Sequence, residues 1–363
     1  MIKKSSLLSI DILRAIAALG VFSYHQHVAS YLARYTHIAI IDQLDNFGAQ
    51  YAVPLFFLIS GYCIHLSNLK YINKGKSLPL KAYYKRRFLR IYPPYLFALI
   101  FAIATNYFTY GKSSTYEDII VHIFSLQGFT VKYFNTINVV LWTISIEIAF
   151  YLIYPIFYYI RSKYSLNKAL LFSLLITTIS IIYFSFQDEV SLPQHFFVFN
   201  LWFAWCSGAY LADKFTLNPA DLKKPAFILI YSGILIAFLA IRFIPNNWSI
   251  VYNQLNILIW TAPLVLLLSN ENWLQKHNNL FLKAISKLGL SSYSLYLLHE
   301  PLILLKNCFA HKFLPAQLQL IWMCAGLIAI PFIAWYSFVY IEKPFAIRKK
   351  IAQQLPPPCL KSL

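Results

Sequence analysis

Charged residues are scarce in this chain of 363 residues. Asp, Glu, Lys and Arg make up 12% of it, and only 13 residues are acidic. A soluble domain carries about 25% charged residues, so the composition excludes an ordinary soluble protein. Hydrophobic residues reach 59% and the mean hydropathy is +0.57. These values predict a polytopic membrane protein.

Cysteine is also sparse and shows no pattern. The five cysteines are Cys63, Cys206, Cys308, Cys324 and Cys359, with no CxxC spacing. Neither a metal site nor a disulfide framework is indicated, so the sequence predicts no metal.

The start of the chain lacks the features of a cleaved signal. Lys3 and Lys4 precede an apolar stretch, but no small-residue cleavage site follows, and Asp11 and Arg14 interrupt the stretch. We therefore expect a retained membrane span.

Apolar runs of about 20 residues can cross a bilayer as helices. The chain offers ten such runs, at 7–29, 47–68, 91–110, 139–160, 168–187, 197–212, 226–245, 249–268, 288–309 and 318–340. The fold prediction is an all-α protein of about ten transmembrane helices. We expect a single membrane domain over 1–363, ending in a short cytoplasmic tail from about residue 343.

Basic residues are distributed unevenly between the two sides of this topology. With both termini in the cytoplasm, 24 Lys and Arg residues fall in inner segments and 6 in outer loops. Cytoplasmic loops are known for such an excess, so both termini are predicted to be inside. The net charge of +18 is thereby largely explained without a nucleic-acid partner.

Two ionisable residues share one face of the first predicted span. Arg14 and His25 are eleven helical steps apart, which brings them to nearly the same angle and separates them by about 16 Å. Charged groups in a lipid-facing helix cost about 2.5–3.5 kcal/mol each. Pairing of Arg14 with Asp11 at the interface would be a structural explanation. His25 is better placed as a general base.

A basic cluster precedes the third span. Arg86, Arg87 and Arg90 lie in YYKRRFLRIYPPY, where a positive-inside anchor explains part of the charge. Arg87 and Arg90 share a helix face, and two guanidinium groups suit a phosphate-rich ligand.

Further polar residues lie inside predicted spans. Glu147 is about 12 Å deep in the fourth span, with Trp142 and Ser145 as possible cavity neighbours. His299 is about 16 Å into the ninth span, a depth similar to that of His25, and Tyr296 lies one turn before it. Structural ion pairs or helix-to-helix hydrogen bonds remain alternatives for Glu147 and His299.

These segments together resemble the acyltransferase-3 family of integral membrane O-acyltransferases. Besides Arg14 and His25, the matching pieces are FFLISGY, RRFLRIYPPY, WTISIEIAFYLIYP, SYSLYLLHEP and IEKP, in the family's order. The resemblance implies ten core helices. It also implies transfer of an acyl group, with acetyl as the expected one, from coenzyme A across the membrane to a hydroxyl of a glycan or lipid-linked saccharide.

The resemblance also implies roles for individual residues. His25 would be the catalytic histidine and Arg14 its motif partner, while Arg87 and Arg90 would bind the donor and Glu147 would be the carboxylate of the fourth-span motif. Glu147 could orient the imidazole, as the acid of a catalytic triad does. Many bacterial relatives carry a C-terminal esterase-like domain, and we expect the membrane domain alone here.

The prediction is therefore an acetyl-CoA-dependent O-acetyltransferase of the bacterial inner membrane that modifies a cell-surface polysaccharide or its precursor. Two alternatives stay open: a glycan or lipid transporter or flippase, which also has charges near the membrane midplane, and a glycosyltransferase that uses polyprenyl-phosphate sugars. The sequence leaves open direct transfer or an acyl-histidine intermediate, the acceptor sugar and the oligomeric state.

Overall fold

The computed structural model describes residues 7–111, 113–187, 189–217, 225–241, 249–277, 279–315 and 318–345. Within these ranges the chain is built from helices and contains no β-strand, which confirms the all-α prediction. Lys3, Lys4 and the predicted tail beyond residue 345 lie outside the described residues.

Eighteen α-helices follow one another along the described chain. They are α1 (Leu8–His25), α2 (Val28–Thr36), α3 (Asp45–Phe47), α4 (Val53–Ile72), α5 (Leu80–Tyr110), α6 (Tyr116–Ile123), α7 (Trp142–Lys163), α8 (Leu166–Ser185), α9 (Leu192–His195), α10 (Val198–Leu217), α11 (Pro225–Ala240), α12 (Ser249–Leu258), α13 (Thr261–Ser269), α14 (Glu271–Lys276), α15 (Leu280–Leu290), α16 (Ser292–Phe313), α17 (Gln319–Ser337) and α18 (Lys343–Phe345). Two π-helical segments, Gly48–Ala52 and Phe338–Glu342, join α3 to α4 and α17 to α18.

Each of the ten predicted apolar runs coincides with a helix or a pair of helices. Seven helical stretches in the described part of the chain are long and apolar enough to cross a membrane, so the chain is a multi-pass membrane protein. The count of about ten spans and the cytoplasmic placement of both termini stay predictions.

The helix that contains the third apolar run begins before that run. The run starts at residue 91, whereas α5 begins at Leu80 and continues without a break to Tyr110. Arg87 and Arg90 therefore lie on the same helix as the apolar run. The physical reason is that both arginines find partners inside the bundle, as described below.

Helices α4 and α10 cross at very short range because each has a glycine at the contact. A Cβ atom on Gly61 would lie 2.0 Å from the backbone oxygen of Trp205, and one on Gly208 would lie 2.2 Å from that of Leu58. Small residues allow such close helix approach in membranes.

We expect Gly208→Ala to destabilise the protein, because the added methyl group has no space against the backbone of α4. Overpacking of this kind costs about 1–3 kcal/mol. The matched control is Gly233→Ala on α11, where an added Cβ meets no atom of the described chain within 4 Å. Thermal unfolding of the purified protein measures both, and equal melting temperatures would contradict the close-packing argument.

The N-terminus of α1 is capped by a residue distant in sequence. Its own N-cap residue, Leu7, provides no side-chain cap. Instead, the backbone N–H groups of Leu8 and Ser9 donate to the two carboxylate oxygens of Glu271, both at 2.9 Å. Burial would raise the pKa of Glu271, but hydrogen bonds from Gln275, Ser9 and Leu8 outweigh it and hold the pKa below its usual value.

Glu271→Ala should therefore lower stability at pH 7 by about 1–2 kcal/mol, as loss of a helix cap does. A depressed folded-state pKa gives stability above the unfolded pKa of about 4.3, and this is lost as the pH falls through the folded value. The difference in melting temperature between wild type and variant should shrink on acidification from pH 7 to below pH 4. The control is Glu189→Ala, an exposed carboxylate, and a pH-independent difference for Glu271→Ala would argue against the charged cap.

Candidate functional site

Arg14 and His25 lie on the uninterrupted helix α1, as their spacing predicts. Each belongs to a separate group of polar side chains, about 16 Å apart along the helix axis. We call the first the His25 cluster; its members are His25, His299 and Glu300. We call the second the arginine cluster; its members are Arg14, Arg87, Arg90, Glu147 and Glu342.

The His25 cluster joins the last residue of α1 to the middle of α16. His25 Nδ1 lies 3.2 Å from a carboxylate oxygen of Glu300. The rings of His25 and His299 are 5.0 Å apart between centroids. The side chains of His25 and Glu300 are 19% and 31% exposed, whereas His299 is buried. The cluster is thus open on the side of His25 and Glu300.

The hydrogen bonds determine where each imidazole carries its proton. A carboxylate can only accept, so His25 donates through Nδ1 to Glu300, and its Nε2 keeps a free lone pair. His299 Nδ1 donates to the backbone oxygen of Leu295 at 3.1 Å, which also leaves Nε2 as an acceptor. That buried Nε2 atom has no hydrogen-bond partner among the described residues.

A proline shapes α16 beside the cluster. Pro301 has no N–H, so the carbonyl of Leu297, four residues earlier, loses its helical partner. The side-chain amide of Asn138 donates to this carbonyl at 3.3 Å. The loop before α7 is thereby attached to α16 next to Glu300.

Tyr296, Trp142 and Ser145 were predicted to line the cavity. The Tyr296 ring lies 5.8 Å from that of His299, so this residue borders the His25 cluster. Trp142 instead stacks on Phe134 at 5.0 Å, and Ser145 accepts a hydrogen bond from the backbone of Gly128 at 3.0 Å. Trp142 also contacts the ring of Phe196, which follows α9, at 4.4 Å, and a role in a substrate cavity stays a prediction for Trp142 and Ser145.

The arginine cluster lies between α1, α4, α5, α7 and the π-helical segment Phe338–Glu342. Arg87 donates to Ser67 Oγ at 3.1 Å, and its guanidinium stacks on the rings of Tyr83 and Tyr151. Arg90 interacts electrostatically with Tyr151, Glu342 and Glu147. Arg86, the third predicted donor residue, adds a positive charge next to Arg87.

Arg14 completes this cluster from α1. Its guanidinium donates to Cys63 Sγ at 3.4 Å and interacts electrostatically with Glu342. Glu342 is buried and accepts a hydrogen bond from Ser294 at 2.8 Å. Three guanidinium groups thus face two carboxylates, which leaves an excess of positive charge inside the helical bundle.

Glu147 lies in the arginine cluster and not beside the histidine that it was expected to orient. Its carboxylate accepts hydrogen bonds from Ser60 at 2.7 Å and from Tyr151, and Arg90 and Arg87 interact with it electrostatically. The carboxylate at His25 in the described structure is that of Glu300. A catalytic role of Glu147 stays a prediction.

Two site residues were missed by the sequence analysis. Glu300 follows His299 directly in LHEP and occupies the position expected of the triad acid. Glu342 lies in the IEKP segment, where the sequence analysis assigned it no role, yet it is 4% exposed and interacts electrostatically with Arg90 and Arg14. The available signal for Glu300 was a carboxylate directly after a deep histidine; the sequence pattern around Glu342 offers no equivalent signal.

The His25 cluster could also bind a metal ion by geometry. One ligand atom from each of His25, His299 and Glu300 lies within 4.8 Å of the other two. Two imidazoles and one carboxylate are ordinary ligands for a divalent transition metal. The sequence predicts no metal, and that expectation stays a prediction.

A third polar group lies at the other side of α4. His65 is fully buried, with Nδ1 3.1 Å from the hydroxyl of Tyr154 and Nε2 3.0 Å from Asp213. Arg161 binds the same carboxylate with Nε at 2.5 Å. The charges are compensated within the group, which favours a structural role in holding α4, α7 and α10 together.

An all-helical membrane bundle with a histidine–carboxylate pair at one end and clustered arginines at the other is the arrangement expected of a membrane acyltransferase. Residues 7–339 match the family described as acyltransferase domain, the acyltransferase-3 family. The chain belongs to this family, which confirms the resemblance found in the sequence.

The chain is similar to larger curated proteins of this kind. It is 26% identical to the peptidoglycan O-acetyltransferase OatA of Listeria monocytogenes over 94% of this chain and 56% of that protein. It is 25% identical to the O-acetyltransferase OatA of Staphylococcus aureus over 94% of this chain and 57% of that protein. The chain thus spans little more than half the length of these relatives.

A further relative, an uncharacterized protein of Haemophilus influenzae, is 30% identical over 61% of this chain and 99% of its own length. No solved structure shows a significant match to the chain.

Proposed function

We propose that this protein transfers an acetyl group from acetyl-CoA to a hydroxyl of a cell-surface glycan or of its lipid-linked precursor, in the bacterial inner membrane. The observation that carries the proposal is the 3.2 Å contact between His25 Nδ1 and Glu300. It leaves Nε2 of His25 free to take a proton. The OatA relatives, named as O-acetyltransferases, support acetyl as the group and a glycan as the acceptor.

The chemistry assigns His25 the role of general base. Its Nε2 removes the proton of an acceptor hydroxyl while the hydroxyl oxygen attacks the thioester carbonyl. The carbon–sulfur bond then breaks, and the proton passes from the imidazolium to the departing thiolate of coenzyme A. Glu300 stabilises the imidazolium between these steps, as the buried acid does in a serine protease.

An acyl-histidine route uses the same atoms. In that route Nε2 attacks the thioester carbonyl first, and the carbon–sulfur bond breaks to release coenzyme A as a thiolate. The acceptor hydroxyl then attacks the acetyl carbon, the carbon–Nε2 bond breaks, and the hydroxyl proton goes to Nε2. Both routes need Nε2 unprotonated, and in the neutral imidazole the hydrogen bond to Glu300 keeps the proton on Nδ1.

The arginine cluster is proposed to hold the phosphates of coenzyme A. Its three guanidinium groups exceed its two carboxylates by one charge, and guanidinium binds phosphate oxygens in a bidentate manner. A separation of about 16 Å from His25 fits a donor with phosphates at one end and a thioester at the end of a flexible arm. Family membership favours acyl transfer over the transporter and glycosyltransferase alternatives.

Glu300→Gln should lower the rate of acetyl transfer at least about 100-fold, because loss of the corresponding carboxylate in a serine protease costs about 10⁴ in kcat. Donor affinity should change little, since Glu300 lies in the His25 cluster. Glu147→Gln is the comparison variant. Because Glu147 lies in the arginine cluster, its substitution is predicted to change donor affinity rather than the rate of transfer.

Initial rates against acetyl-CoA concentration, measured on purified protein of known melting temperature, separate the two carboxylates. If Glu147→Gln lowered kcat with unchanged KM for the donor while Glu300→Gln retained normal turnover, the assignment of Glu300 as the partner of His25 would be wrong.

Arg87→Gln combined with Arg90→Gln should weaken binding of coenzyme A at least about tenfold, which corresponds to a loss of about 1.4 kcal/mol. The control is the double change Lys74→Gln and Lys76→Gln, since both lysines are exposed on the same side of the chain. Isothermal calorimetry with coenzyme A gives the affinities directly. Equal losses of affinity for coenzyme A in the two double variants would mean that the arginines serve only to set the membrane topology.

A further inference from the structure

A polar groove lies directly beside the His25 cluster. It has a volume of about 310 Å³ and is formed by the end of α5, the loop before α7 and the middle of α16. The polar side chains in its lining include Asn106, Tyr110, Ser114, Asn135, Asn138 and Glu300. Glu300 belongs to both the groove and the His25 cluster, so a single carboxylate separates the groove from the imidazole.

The lining is rich in uncharged hydrogen-bonding groups. Each asparagine amide offers both donors and an acceptor, and each serine hydroxyl offers one donor and two lone-pair positions. The side chains of Ser114, Asn135 and Tyr110 make no hydrogen bond to any part of the chain that the structure describes, so their polar atoms are available. Glu300 is the one charged side chain among the described lining residues.

The groove is held in shape by two amides that use their donors on the backbone. Asn106 donates to the backbone oxygen of Ile137 at 2.8 Å, and Asn138 donates to the carbonyl of Leu297 that Pro301 leaves without a helical partner. The loop is thus bound to α5 on one side and to α16 on the other.

Ile137, between these two contacts, has φ = 57°. A β-branched residue at positive φ is a true outlier that costs about 1–3 kcal/mol. Such strain persists only where the surroundings enforce it, and it is concentrated at ligand-binding and catalytic sites. The strained residue lines the groove itself, which is independent evidence that this loop is shaped for a ligand.

We propose that this groove binds an uncharged saccharide unit of the acceptor. Amide and hydroxyl groups pair with the hydroxyls of a neutral pyranose, and the ring of Tyr110 offers an apolar face to stack on it. No cationic side chain is found among the described lining residues, so a phosphate or a carboxylate sugar would meet only the negative Glu300. A sugar in the groove lies against the carboxylate that contacts His25 Nδ1, so the reacting hydroxyl would come from an adjoining part of the acceptor that reaches Nε2. The inference rests on the proposed glycan acetylation.

The test uses the purified full-length chain and two neutral probes, chitotetraose and maltotetraose. Asn135→Trp fills the groove from an exposed loop position, and Asn135→Ala removes one amide. Gln187→Trp is the control, because Gln187 is also an exposed amide in a loop but does not line the groove. Thermal unfolding is recorded with and without about 20 mM of each sugar, since a ligand that binds the folded state raises the melting temperature.

We expect at least one neutral sugar to stabilise the wild type and the Gln187→Trp protein. The stabilisation should be absent in Asn135→Trp and reduced in Asn135→Ala, and tetragalacturonate, an anionic probe, should give a smaller shift. Equal stabilisation of both tryptophan variants, or none of the wild type by either neutral sugar, would overturn the assignment.

Mass spectrometry of surface glycans from cells that express each variant separates this inference from the proposed function. We expect Asn135→Trp to lower acetylated glycan at least about tenfold, equivalent to 1.4 kcal/mol, with normal amounts of inserted protein. If the wild type binds the neutral sugar in the groove but acetylates no glycan, the proposed function fails and the groove stands. If Asn135→Trp acetylates as well as Gln187→Trp, the groove assignment fails and the proposed function stands.

Discussion

The cost of placing ionisable groups among apolar helices governs this structure. A charge near the bilayer centre costs several kcal/mol unless it is paired or hydrated, so the bundle gathers its buried ionisable side chains against one another. Three of these groups are the His25 cluster, the arginine cluster and the compensated group of His65, Asp213 and Arg161. Only the third balances its charges completely. The His25 cluster keeps a lone pair without a partner, and the arginine cluster keeps an excess positive charge. These are the groups with which a bound ligand can interact most favourably.

Helix α1 relates the two unbalanced clusters to each other. Arg14 and His25 are held at one separation because the helix between them is continuous, and its remote cap by Glu271 places its start against α14. The donor proposed for this site is long, charged at one end and reactive at the other. A continuous helix with a cationic group and a base on one face matches such a molecule, because the number of residues between Arg14 and His25 fixes their separation.

The sequence was informative about features that depend on a single helix. It predicted the all-helical class and the shared face of Arg14 and His25, because periodicity acts within a single element. It gave the third apolar run as 91–110, whereas the helix that contains this run extends back to Leu80, where Arg87 and Arg90 interact with side chains of other helices. The partner of His25 could not be identified, since the pattern of one helix does not say which helix lies opposite. Glu147 was the carboxylate that the sequence analysis considered, and the packing of α1 on α16 instead places Glu300 beside His25.

Pro301 connects the chemistry of α16 to the loop that forms the groove. A proline in the middle of a helix would normally cost about 3 kcal/mol, and the structure offsets part of this by giving the freed Leu297 carbonyl a new donor in Asn138. That amide belongs to the loop before α7, and Glu300 precedes the proline directly. The irregularity in α16 therefore holds the loop against the helix next to Glu300. Irregular backbone is tolerated at membrane depth where it lines a cavity, and here the cavity is lined by Glu300, the carboxylate that contacts His25 Nδ1.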